Sequence, residues 1–90
     1  MAPLRLEKGD VVKFSEDIFS LFKGVAAKKE ILYEFKTTHK NINFLFDFDK
    51  VEKIITNLIS NAIKYTNSDG TITVSVNKVL ENKNNSKFNF

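Results

Sequence analysis

The sequence predicts an α/β fold in which helices cover one face of a sheet. Three observations carry that expectation. Two stretches, Val11 to Lys29 and Lys50 to Tyr65, repeat apolar residues at intervals of three and four, the spacing of a helix with one buried stripe. Shorter stretches alternate apolar and polar residues, the period of a strand with one covered face. Nine Phe among 90 residues imply a core of large rings. That length allows one small domain or part of one.

Taken in order, Met1 to Gly9 reads as an irregular lead punctuated by Pro3 and Gly9, with Leu4 and Leu6 alternating as in a short edge strand. Asp10 and Ser15 are candidate caps for the first helix, about 11–29. Its stripe is Val11, Phe14, Ile18, Leu21, Phe22 and Val25, and Gly24 weakens it. Ile31 to Lys36 and Ile42 to Phe48 then predict two strands joined as a hairpin over 31–48, with Phe44, Phe46 and Phe48 on the inner face. Asp47 or Asp49 would cap the second helix, about 50–65, whose stripe is Val51, Ile54, Ile55, Leu58, Ile59, Ala62 and Ile63. Its β-branched residues are poor helix formers, so burial must stabilise it. Thr66 to Gly70 makes a turn, 71–80 a strand, 82–86 a polar turn, and 87–90 the start of a strand whose continuation is expected beyond Phe90.

Composition narrows the function. With 42% hydrophobic and 28% charged residues the chain is globular. It has no Cys, which excludes disulfides and thiol chemistry, and one His, which excludes a multi-His metal site. The net charge of +3 rests on thirteen Lys and one Arg, a weaker basic excess than nucleic-acid readers carry, so no nucleic-acid partner is expected. No stretch is long and apolar enough to cross a bilayer, Met1 to Asp10 has no apolar signal region, and no direct membrane contact by this segment is expected. The expected location is cytoplasmic.

The second helix also carries a polar stripe. Asn57, Asn61 and Lys64 fall at i, i+4 and i+7, on one face, with Lys53 a turn before them. Asn is a poor residue inside a helix because it competes for backbone hydrogen bonds. Read for function, an Asn carbonyl can ligate Mg²⁺ that keeps water and phosphate as its other ligands. A Lys beyond it can neutralise phosphate, and the ring of Tyr65 can lie beside a nucleobase. Read structurally, the same stripe is a solvated helix face.

The run from Asp49 to Thr66, with Asn57-Leu58-Ile59-Ser60-Asn61-Ala62-Ile63-Lys64-Tyr65-Thr66 at its centre, closely resembles the N-box helix of sensor histidine kinases. That helix belongs to their ATP-binding domain, of the gyrase, heat-shock-chaperone, histidine-kinase and mismatch-repair superfamily. Asp69 to Val76 looks like the family's next turn and strand, and the resemblance extends from about Asp10 onward. It implies a two-layer α/β sandwich, cut short, with helices on one face of a mixed sheet. It implies that Asn61 binds the Mg²⁺ that bridges the phosphates of ATP. Asn57, the catalytic position, would line the phosphates, where the ATP-hydrolysing relatives place a Glu general base. Lys64 would contact phosphate and Tyr65 would flank the adenine pocket. Ile54, Leu58 and Ala62 would lie on flanks that pack beneath the site.

Several family features have no match here. There is no Asp-x-Gly-x-Gly box and no Gly-rich lid, since the only glycines are Gly9, Gly24 and Gly70, and the upstream dimerisation helix pair with its phospho-accepting His also has no match. His39 sits in the polar link 37–41, unlike the family's helical phospho-acceptor. The resemblance therefore implies a fragment that is inactive alone and binds Mg-ATP weakly or not at all. Its parent would phosphorylate a histidine of its own dimerisation domain and pass the phosphate to a response-regulator receiver. That parent could be soluble or anchored in the inner membrane. The alternatives are a degenerate nucleotide-binding or scaffold domain and, against Asn57, an ATP hydrolase of the gyrase or chaperone branch. An exposed sheet edge would favour self-association into a homo-oligomer.

Overall fold

Twice in this chain a strand runs directly into a helix, and each time an aspartate makes the join. In the computed structural model, which describes residues 3–82 and 85–89, β1 (Leu6–Asp10) leads into α1 (Val11–Leu21), followed by α2 (Lys23–Lys28) and β2 (Leu32–Thr37). Next, β3 (Asn43–Asp47) leads into α3 (Phe48–Tyr65), followed by β4 (Thr71–Asn82) and β5 (Asn85–Asn89). Asp10 caps α1 by accepting from Val12 N, and Asp47 caps α3 by accepting from Lys50 N, satisfying amides that a helix start otherwise leaves open.

The strands form two sheets. β1 and β3 pair antiparallel, with Leu6 opposite Asp47 and Asp10 opposite Asn43. The second sheet has the order β2-β4-β5. β2 runs parallel to β4, Leu32 opposite Thr71, and β5 runs antiparallel to β4, Asn77 opposite Asn89. A parallel pair needs a crossover, and the segment carrying β3 and α3 supplies it. The result is the expected sandwich of helices on a mixed sheet.

The expected hairpin over 31–48 does not form, because β3 pairs with β1 and β2 with β4. Alternation fixes which side chains face the core, but it does not name the partner strand. Ile42 is instead held against the start of α1, where Val11 N donates to Ile42 O and Ile42 N donates to Asp10 Oδ1. Phe48 is not the end of a strand but the first residue of α3, and Phe44 is 43% exposed. The irregular lead is replaced from Leu6 onward by β1.

The first helix is also shorter than its pattern predicts. It breaks at Phe22, whose φ of −102° and ψ of 2° leave the helical region. The break buries Ala26 completely and leaves Leu21 77% and Val25 54% exposed, outside the core their spacing suggested. Ser15 is a buried residue of α1, not its cap. The turn expected at 82–86 and the strand end at Phe90 lie partly outside the described residues.

Among the described residues, two clusters make the core. One gathers Ile18, Ala26, Ile31, Ile55, Ile59, Ile63 and Ile72; the other gathers Val11, Val12, Ile42, Phe46 and Val76. Phe14 and Val51 pack against both. Stacked rings stiffen the ends, Phe46 on Phe48 at 4.4 Å and Phe19 on Tyr33 at 4.0 Å between centroids.

Candidate functional site

Helix α3 is held from below by a narrow rib. Ile55, Ile59 and Ile63, each four residues apart, are its buried residues. Burying an Ile side chain contributes roughly 1.5–3 kcal/mol, enough to outweigh its modest helix propensity. The opposite face carries the polar stripe: Asn57, Asn61, Lys64 and Tyr65 are all exposed. The four predicted residues therefore share one open surface, with Asn57 and Asn61 about 6 Å apart along the axis. Among the described residues, no hydrogen bond engages the side chains of Asn57 or Asn61, so both amide oxygens are open to a ligand. The Lys64 ammonium lies over the Tyr65 ring, 5.3 Å from its centroid.

Beside the stripe, α3 and β4 enclose an apolar cleft of about 150 Å³, lined in part by Leu58, Ala62, Ile72 and Val74. Ile54 and Leu58 lie on the flanks of the site, but each is 54% exposed, so the expected packing beneath the site is not made by them. A larger cavity of about 340 Å³ lies at the other end of α3, between Pro3, Arg5, Asp47, Asp49, Lys50 and Lys53. Its carboxylate Asp47 is already engaged: Arg5 N donates to Oδ2 and Lys50 N to Oδ1. Those two donors hold the Asp47 carboxyl below the usual carboxylate range. That cavity touches none of the four predicted residues.

His39 is exposed in the link after β2, its Nδ1 2.8 Å from Thr38 Oγ1, and is remote in sequence from α3. Among the described residues, no cluster of three or more His, Cys, Asp or Glu could hold a metal ion. Among them also, no helix is long and apolar enough to cross a membrane. The sequence reading missed Lys29. The Lys28-Lys29 pair reads as a solvated helix end, yet Lys29 Nζ donates to Ile63 O at 2.6 Å and to Lys64 O at 3.1 Å. No local signal reveals a contact to a residue 34 positions away.

The architecture has close counterparts among solved structures. The catalytic domain of histidine kinase ThkA, in a nucleotide-free form, superposes with a TM-score of 0.81 over 86% of this chain and 52% of its own, at 19% identity. This chain has the fold of a histidine-kinase catalytic domain. The histidine-kinase fold recurs in ThkA bound to the response regulator TrrA, with a TM-score of 0.74 over 80% of this chain and 22% of that one, at 21% identity. In sequence, the chain is 36% identical over 73 residues to Histidine kinase P4 of Formosa agariphila, a match covering 81% of this chain and 5% of that protein. The chain thus spans about half of the ThkA catalytic domain and a small part of its curated relative. No protein-family model matches it.

Proposed function

We propose that this chain is the first half of the ATP-binding catalytic domain of a histidine kinase, and that its α3 handles the phosphate end of Mg-ATP. The observation that carries the reading is the open stripe of Asn57, Asn61, Lys64 and Tyr65 on the central helix of this fold. A structural helix face has no need of two aligned amides inside an isoleucine-rich helix.

The donor set fits a metal that arrives with its substrate. An amide oxygen without carboxylate neighbours is a poor trap for a free cation but a sound ligand for Mg²⁺ already held by phosphate. Asn61 would supply that oxygen, and the ion would offset charge on the phosphate oxygens. Asn57, one turn earlier, would orient a phosphate oxygen or a neighbouring water through its amide. It cannot take a proton at neutral pH, so it does not activate water for hydrolysis, which favours transfer over ATPase chemistry. Lys64 contributes a point charge. Tyr65 and the cleft along Leu58 and Ala62 offer an apolar wall to the base.

In the whole protein the γ-phosphoryl would go to a histidine of the dimerisation domain and then to a response-regulator aspartate, on the cytoplasmic side where ATP is available. The chain alone lacks any Gly-rich loop to close over phosphate and is inactive in transfer.

The test is a set of ¹H–¹⁵N correlation spectra at rising millimolar Mg-ATP. Progressive shifts at Asn57, Asn61, Lys64 and Tyr65, abolished by Asn61→Ala, are expected. Shifts centred on Arg5, Lys50 and Lys53, or none at all, would overturn the reading.

A further inference from the structure

The last turn of α3 carries Lys64 and Tyr65, and a helix end leaves its final carbonyls without partners. Here they are taken from two directions. Ala62 O accepts from Thr66 N at 3.0 Å. Ile63 O and Lys64 O both accept from the ammonium of Lys29, the half-buried residue that closes α2. An ionised donor makes shorter and stronger hydrogen bonds than a neutral one, and a cation at a helix C-terminus also meets the negative end of the dipole. Lys64 itself is the basic residue in that turn, but its ammonium is drawn over the Tyr65 ring. Lys29, from a different helix, does the capping.

The contact is part of a larger join. Directly after Lys29, Glu30 takes a left-handed conformation with φ of 61°, unfavourable for a residue with a Cβ. Its carbonyl accepts from Asp69 N at 2.8 Å, and Leu32 N donates to Gly70 O at 2.9 Å. Asp69 is also left-handed, with φ of 70°. The corner between α2 and β2 and the corner between α3 and β4 are therefore locked together, and among the described residues Lys29 is the side chain that hydrogen-bonds within that lock.

We propose that Lys29 is a positioning residue for the site on α3. Its ammonium clamps the final turn so that Lys64 and Tyr65 leave the helix at a fixed angle beside Asn61. The proposal deepens the nucleotide reading above and rests on it for its purpose, while the clamp itself can be tested without nucleotide.

Lys29→Met keeps the aliphatic stem and removes the donor; Lys29→Arg keeps a charged donor. In the free chain, amide hydrogen exchange in Lys29→Met should accelerate about tenfold at Ile63 to Thr66, a local opening, and stay unchanged at Ile55 and Ile59. Lys29→Arg should restore protection. With Mg-ATP, Lys29→Met should lose the shifts at Lys64 and Tyr65 while keeping those at Asn57. Unchanged exchange at Ile63 to Thr66, or equal acceleration along all of α3, would overturn the clamp. A wild-type chain with no response to Mg-ATP would overturn the nucleotide reading, and with it the purpose assigned to Lys29, whatever the exchange result. Should Lys29→Met fail to fold, side-chain ¹⁵N relaxation of the wild type decides. Lys29 Nζ must be more ordered than Lys23 Nζ and Lys28 Nζ, and equal mobility would overturn the proposal.

Discussion

The units β1–α1 and β3–α3 are built alike at their ends and used differently along their lengths. Each strand ends in an aspartate that caps the next helix and also accepts from the backbone beside the opposite strand, Asp10 from Ile42 N and Asp47 from Arg5 N. Each helix has carbonyls near its end taken by a side chain from elsewhere, Phe19 O by the Tyr33 hydroxyl and Ile63 O by Lys29. The surfaces between those ends diverge. α1 buries five of its 11 residues; α3 buries three of 18. α1 is committed to the core. α3 is secured at both ends and along one rib, which leaves most of its surface free to present polar groups. Capping rules make both helices, and the unburied positions distinguish scaffold from platform.

The largest effect should come from cutting the rib. Ile59→Ala removes a side chain that is 3% exposed and should cost about 3 kcal/mol. Its neighbour Leu58 is 54% exposed, and Leu58→Ala should cost under about 1 kcal/mol. Urea titrations of the two variants give the contrast directly. Equal losses would mean that the outer flank of α3 is covered, and the platform would be a core helix after all.

A second contrast separates two glycines. A Cβ at Gly9 would stand 2.4 Å from Phe48 Cζ, and that ring is stacked on Phe46 and cannot simply swing away. Gly9→Ala, which forces β1 off the start of α3, should cost about 1–3 kcal/mol. At Gly24 nothing lies within 4 Å of the added carbon, so Gly24→Ala should gain up to about 1 kcal/mol of helix propensity in α2. Thermal melts should move in opposite directions. A gain at Gly9 would show that the join between β1 and α3 is loose.

These contrasts also mark what the sequence can reveal. α3 is legible because its period is sustained and an aspartate stands before it, and the alignment of Asn57, Asn61 and Lys64 follows from spacing alone. Pairing of the strands is not legible. Ile31 to Lys36 and Ile42 to Phe48 alternate equally well, and period two does not say that one joins β4 and the other β1. Leu21 and Val25 continue a helical stripe, yet a bend at Phe22 places them outside. Lys29 is invisible for the same reason: its partners are brought to it by the fold.

Acid should remove the difference between Asp47 and its amide isostere. Hydrogen bonds from Arg5 N and Lys50 N favour the ionised Asp47 and lower its pKa on folding. Its contribution is therefore present above the ordinary carboxylate value of about 3.9, and it is lost as pH falls through the lowered folded value. Asp47→Asn should melt lower than wild type at neutral pH, with the gap closing as pH falls below the ordinary carboxylate range. A gap that does not change with pH would mean that the carboxylate charge plays no part in the join.

The smallest effect belongs to the end of α1. Tyr33→Phe keeps the ring that stacks on Phe19 and removes only the hydroxyl that donates to Phe19 O at 2.9 Å, a loss of about 1 kcal/mol. Burial pushes the Tyr33 phenol up to about 12, because a phenolate there would lose solvent. A raised phenol favours the folded state only while it stays neutral. Its contribution is full below the unfolded value of about 10 and is lost as pH rises toward the folded one. The stability gap between wild type and Tyr33→Phe should therefore narrow in alkali, in contrast to Asp47→Asn, whose gap narrows in acid. Urea midpoints of both proteins from about pH 8 to about pH 11 test it. A constant gap would show that the hydroxyl does not hold α1, and the likeness between the two helix ends would then fail at this one.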